Sequence, residues 1–159
     1  MKLLVYFSYT GHTKYIAEII KQNINCDVIR LEPVIPYSND YNKVVNDEQN
    51  QESSDKIPEI KDINIDLDLY DTIIIGTPVW WYRSAPVIRA FLKKYDLSNK
   101  IIIPYSTNAG WLGKTFNEIK SLCPNSKVVN EFNIVFTSDY IKNELVTPIE
   151  TIENWINNI

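Results

Sequence analysis

The sequence predicts an α/β domain in which a parallel β-sheet carries helices on both faces. Three observations lead there. Apolar runs of strand length occur at Lys2–Phe7, Asp27–Leu31, Thr72–Ile75 and Ile101–Ile103, with a fifth between Lys127 and Val135. The segments between them space their apolar residues as helices do. The alternation repeats five times, which returns the chain to the same end of the sheet after each strand. In such a sheet ligands bind beyond the C-terminal strand ends, where the strand order reverses. The 159 residues form one domain, 1–159, with no internal repeat.

The first strand, Lys2-Leu3-Leu4-Val5-Tyr6-Phe7, is too short for a helix and reads as buried on both faces. It stops at Ser8-Tyr9-Thr10-Gly11-His12-Thr13, and Tyr15, Ile16, Ile19, Ile20 and Ile24 then mark a helix. This arrangement suits a phosphate. The helix start offers unpaired N–H groups and a partial positive charge, and Ser8, Thr10 and Thr13 add hydroxyls. Gly11 lets the backbone close round an anion. The plain alternative is a helix capped by Ser or Thr. The clustering of Ser8, Thr10, Thr13 and a glycine in six positions favours the anion. His12, the only histidine, is expected at the surface, contributing its backbone N–H.

The second strand, Asp27–Leu31, stops at Glu32-Pro33, and a long polar connection runs from Pro36 to Asp68. Within it Asn39 to Gln51 suits a short helix using Tyr41, Val44 and Val45, and Gln51 to Pro58 reads as surface loop. The third strand ends at Gly76, before Thr77-Pro78-Val79-Trp80-Trp81-Tyr82-Arg83-Ser84-Ala85-Pro86. A helix then spans Val87 to Lys94 with Pro86 at its first turn. Ile101–Ile103 leads to Pro104-Tyr105-Ser106-Thr107 and the loop Asn108–Gly113, followed by a helix through Phe116, Ile119 and Leu122. The last helix, between Pro148 and Ile159, packs Ile149, Ile152 and Ile156 with Trp155 alongside.

Three loops therefore leave the ligand-binding end: Ser8–Thr13, Thr77–Ser84 and Ser106–Gly113. Trp80, Trp81 and Tyr82 cannot all enter one core, and a flat ligand on such rings gains contact area. Trp111 offers another wall. A phosphate turn beside aromatic walls suggests a flat phosphorylated cofactor. A mononucleotide fits better than a dinucleotide, because no G-x-G-x-x-G follows the first strand. The net charge of −4 argues against nucleic acid. No run of eighteen apolar residues predicts a membrane span, and no signal-peptide layout opens the chain. Cys26 and Cys123 lack metal-like spacing and read as free thiols of a reducing cytoplasm. A single histidine rules out a histidine metal cluster, and no metal is expected.

At these residues the chain resembles the flavodoxin family, over essentially its whole length. Ser8-x-Thr10-Gly11-x-Thr13 resembles the family's phosphate loop. Gly76-Thr77-Pro78-Val79-Trp80-Trp81, with Ala85-Pro86 and Phe91-Leu92, resembles a branch with a Trp-Trp loop after the third strand. The resemblance implies a three-layer αβα sandwich with a five-stranded parallel sheet in the order 2-1-3-4-5, and FMN as cofactor. It also implies site residues. Ser8, Thr10 and Thr13, with the backbone of Gly11 and His12, would hold the FMN phosphate. Pro78, Val79, Trp80, Trp81 and Tyr82 would line one side of the isoalloxazine. Ser106, Thr107, Asn108, Ala109 and Gly110 would bind the ribityl chain and pyrimidine edge. No catalytic side chain is needed, since the chemistry belongs to the flavin.

The implied role is a low-potential electron carrier, monomeric and cytoplasmic, that docks on reductase and acceptor proteins through the flavin edge. The alternative is an FMN-dependent NAD(P)H quinone or nitro-compound reductase. Two departures leave room for it. No glycine lies between Thr77 and Ala85, where the family often has one whose peptide flips towards the reduced flavin N5. The net charge is also milder than in many flavodoxins. No twenty-residue insertion precedes the last helix, as in a short-chain type. Gly113-Lys114-Thr115 resembles the end of a P-loop, but Asn108 stands where that motif needs glycine. A phosphoryl-accepting receiver would need carboxylates where Tyr6-Phe7-Ser8 stands. Asp139 and Glu144 form no catalytic pair.

Overall fold

A computed structural model of the protein describes residues 1–52, 56–139 and 144–159. The strands are β1 (Lys2–Tyr6), β2 (Asp27–Arg30), β3 (Thr72–Trp80), β4 (Arg83–Ser84), β5 (Ile101–Asn108), β6 (Lys127–Val128) and β7 (Phe132–Val135). The helices are α1 (His12–Asn23), α2 (Tyr41–Glu52), α3 (Pro86–Lys94), α4 (Thr115–Leu122) and α5 (Ile149–Ile156). The sheet runs β2-β1-β3-β5, and β6 and β7 both continue it alongside β5. All these pairings are parallel; only β4 runs antiparallel, against β3. Taken as one interrupted strand, β6 and β7 complete the order 2-1-3-4-5. The interruption falls at Asn130, whose φ is +55° and whose carbonyl accepts the Trp155 indole N–H at 2.8 Å.

Alternate residues of each strand feed two cores, as the period of a strand requires. Leu3, Val5, Phe7, Ile73, Ile75 and Ile102 pack with Val87, Ile88 and Phe91 of α3 and Phe116 and Ile119 of α4. Leu4, Tyr6, Ile74, Ile103 and Tyr105 pack with Ile16 and Ile20 of α1 and Ile152, Trp155 and Ile156 of α5. Helices on both faces explain why the central strands are continuously apolar.

Several expectations are corrected by this packing. Gly76 lies inside β3, which continues to Trp80; it is the seat for the Tyr105 ring directly across the ladder, not a strand end. A Cβ on Gly76 would stand 2.3 Å from that ring. The strand that opens at Ile101, β5, extends past Pro104 to Asn108, because parallel pairing with β3 and β7 persists that far. Ile149 is exposed, since the inward face of α5 turns from Ile152 to Ile156. Of the expected surface loop from Gln51 to Pro58, residues 53–55 lie outside the described residues, and 51 and 52 belong to α2.

Candidate functional site

The C-terminal ends of β1, β3 and β5 surround a cleft of about 270 Å³. Its wall at the start of α1 is set by the chain leaving β1. Gly11 is the residue before the helix, with φ +104°, and has no side chain of its own to cap it. A side chain at Gly11 would meet nothing within 4 Å, so this turn is open. Ser8 is buried, and its Oγ accepts the Lys14 N–H at 3.2 Å. Its carbonyl accepts the Arg30 guanidinium at 3.0 Å, which fixes the turn to β2. Thr13 Oγ1 meets Thr107 Oγ1 at 2.8 Å, joining this turn to β5. Tyr105 reaches over Gly76 and donates its hydroxyl to the Thr13 carbonyl at 3.0 Å. His12 is not at the surface: it is 7 % exposed, its ring stacked on Phe136 with centroids 4.1 Å apart. The apolar partner face draws the imidazole inward.

The aromatic wall is a β-hairpin, not an irregular loop. Val79 pairs with Ser84 and Trp80 with Arg83, leaving Trp81 and Tyr82 as a two-residue turn. Both have positive φ, +52° and +62°. That pattern matches the right-handed twist of the strands but normally selects Asn and Gly. Bulky residues there cost ~1–3 kcal/mol each and persist only when the surroundings over-determine them. Trp80 turns back into the protein, edge-on to Phe7, Tyr9 and Tyr37 at 5.6, 5.9 and 5.2 Å. Tyr82 stays 54 % exposed at the mouth.

The third wall is anchored by Asn108 and Asn133. Ser106 Oγ and Asn108 Nδ2 donate to Asn133 Oδ1 at 2.8 and 2.6 Å. Asn108 Oδ1 accepts the N–H groups of Gly110 and Trp111, both at 2.8 Å. Asp139 accepts from the Ala109 N–H and the Trp111 side chain, which holds that indole by the cleft. Burial pushes the Asp139 carboxyl above the ordinary carboxylate range despite these donors.

Among the residues singled out by sequence, the structure brings Thr10, His12, Pro78, Val79, Trp80, Trp81, Tyr82 and Thr107 onto the cleft, with Trp111 opposite. Ser8, Gly11, Thr13, Ser106, Asn108, Ala109 and Gly110 are not among its lining; several of them shape the turns behind it. Sequence reasoning missed Tyr9, Glu48 and Asp139 as lining groups, and read Tyr41, Val44 and Val45 only as a helix's apolar face. These four α2 residues stand at i, i+3, i+4 and i+7, one stripe of a helix, so the signal existed. Burial raises the Glu48 carboxyl above its usual range, opposed by the Arg89 charge. Among the described residues, no group of acidic, histidine or cysteine side chains is arranged to hold a metal.

The chain matches the flavodoxin family over residues 1–159. It belongs to that family. Among solved structures, a Lactobacillus acidophilus flavoprotein in complex with FMN is 26% identical, with a TM-score of 0.74 over 83% of this chain and 91% of its own. A Bacteroides eggerthii protein described as a flavoprotein is 26% identical, with a TM-score of 0.77 over 99% of this chain and 96% of its own. Megasphaera elsdenii flavodoxin shares the fold at 15% identity and a TM-score of 0.60, over 98% of this chain and 96% of its own. No curated protein matches the chain. With a flavodoxin frame, the αβα sandwich places the three walls at the switch point between β1 and β3.

Proposed function

We propose that this flavodoxin binds FMN in the cleft and carries electrons one at a time, at low potential, between partner proteins. The observation that carries the reading is the start of α1: a helix N-terminus opened by a positive-φ glycine in a turn with room around it, beside an aromatic cleft. A helix N-terminus carries a partial positive charge and N–H donors, and a phosphate suits both. The donors at the start of α1 suit a phosphate, and the aromatic side chains lining the cleft suit a flat ring, the two parts of FMN. Thr10 and the backbone around Gly11 would hold the phosphate, and Trp81, Tyr82 and Trp111 would flank the ring. Bound FMN supplies the redox chemistry, accepting and releasing electrons singly or in pairs. The chain's own part is to orient the ring, exclude water from its faces and set the local charge. Glu48 and Asp139 place two carboxyl groups on the cleft. When ionised they oppose added negative charge, which supports a low potential.

Among the described residues no helix is long and apolar enough to cross a membrane. Cys26 and Cys123 are free, which supports work in a reducing cytoplasm, as a monomer docking partners at the exposed mouth near Tyr82. The test is an anaerobic reductive titration of the FMN-loaded protein followed by visible absorbance. A carrier shows two separable one-electron steps and oxidises NAD(P)H slowly without a partner. A single two-electron step with rapid NAD(P)H turnover on a quinone or nitro acceptor replaces this reading with the reductase. Failure to bind added FMN overturns both.

A further inference from the structure

The Trp81–Tyr82 turn stands where the chain's local preference would not put it, and the contacts that hold it come from α4 and the residues just before that helix. The turn backbone rests on Gly113, where a Cβ would lie 2.4 Å from Tyr82 Cβ and 2.5 Å from the Tyr82 carbonyl oxygen. That carbonyl accepts the Lys114 N–H at 2.9 Å. The Gly113-Lys114 pair that resembles a nucleotide-binding motif is therefore a seat for the aromatic turn. One turn further along, Glu118 grips the strand that leaves it. Its Oε2 accepts Arg83 Nε at 2.6 Å and its Oε1 accepts Ser84 Oγ at 2.6 Å. Arg89 of α3 lies 3.6 Å from the same Oε1 and donates to the Ser84 carbonyl at 3.2 Å. All three charged side chains are nearly enclosed, so this carboxylate acts at short range and is weakly screened.

We propose that Glu118, with the Gly113–Lys114 backbone as its seat, is the positioning residue that holds the Trp81–Tyr82 turn in its disfavoured positive-φ form and so sets the aromatic wall of the cleft. This rests on the FMN reading of that cleft for its functional meaning, but not for its geometry. A carboxylate that only fastened α4 to β4 would act on the fold alone. One that holds a disfavoured turn becomes dispensable when the turn no longer resists. Glycine is at ease at the second position of such a turn. Tyr82→Gly should therefore release the protein from its dependence on Glu118.

The experiment is a double-mutant cycle in the full chain: the parent, Glu118→Gln, Tyr82→Gly and the pair. FMN affinity is read by quenching of flavin fluorescence, and the stability of the cofactor-free protein by its urea midpoint. Glu118→Gln is expected to weaken FMN about tenfold in the parent and less than about threefold in the Tyr82→Gly background, with a matching drop in its effect on the midpoint. Equal losses in both backgrounds overturn the proposal. Should none of the four proteins bind FMN, the cofactor reading fails, and the urea cycle alone still decides the clamp. If Glu118→Gln does not fold, Ser84→Ala removes one of its three partners and runs the same cycle with a smaller step.

Discussion

The two walls of the cleft reach their shapes by opposite routes. The turn from Ser8 to Thr13 follows from local chemistry. A glycine takes the positive φ, the next residue starts a helix, and the N–H groups point outward because helices leave them so. The hairpin from Trp80 to Ser84 goes against local chemistry. Two large aromatics occupy backbone positions that suit Asn and Gly, and an ion-pair network with one foot on α4 keeps them there. The first wall takes a backbone shape its own residues favour and is then tied down by Arg30, Thr107 and Tyr105; the second takes a shape its own residues disfavour and is held from outside. Rigid, locally encoded donors suit an invariant phosphate. A wall held from outside can carry rings that its own turn would not choose.

Four measurements sharpen this contrast. The largest effect is expected at the residue joining both walls. Gly76→Ala drives a methyl into the Tyr105 ring, which is fully buried and bonded to the Thr13 carbonyl. Overpacking usually costs ~1–3 kcal/mol, and with no room for the ring to retreat the loss should sit at or above the top of that range. A urea midpoint close to that of the parent would mean that the ring moves freely. Next comes the local wall. Thr10→Val with Thr13→Val should weaken FMN by about tenfold or more while leaving riboflavin within about threefold, because only FMN presents a phosphate. Equal losses for both ligands would remove the phosphate from this turn.

The imposed wall should respond without that selectivity. Trp81→Ala is expected to weaken FMN and riboflavin alike by ~1–3 kcal/mol, the size of aromatic stacking on a base. It should also shift the reduction potential, and unchanged affinity and potential would place the ring elsewhere. The smallest effect concerns Glu48. Burial raises its carboxyl, so the folded protein favours the neutral form. Its contribution is most favourable below the unfolded-state pKa and is lost as pH rises through the folded one. Glu48→Gln should therefore lift stability at neutral pH and leave it unchanged in acid. Denaturant midpoints across pH 3 to 8 check this, and a variant less stable at neutral pH would show that Glu48 is held as a favourable charge.

What the sequence determined by itself was everything carried by period and by turn chemistry. The strand–helix alternation, the glycine turn after β1 and the helix on Tyr41, Val44 and Val45 are readable because each depends on residues a few positions apart. The strand order came from family resemblance, and Gly76 looked like a stop because its partner, Tyr105, stands on another strand. His12 looked exposed because nothing nearby in the chain announces Phe136. Nothing near Ser106 and Asn108 in the chain announces Asn133, whose side chain both of them reach from the neighbouring strand. Glu48 joined the cleft only when α2 was laid along it. Tertiary structure decided these because a buried group is defined by what lies against it, and those neighbours are brought from distant parts of the chain. The aromatic hairpin is the clearest case: its turn residues point away from the shape they adopt, and only the seat at Gly113 and the carboxylate of Glu118 account for it.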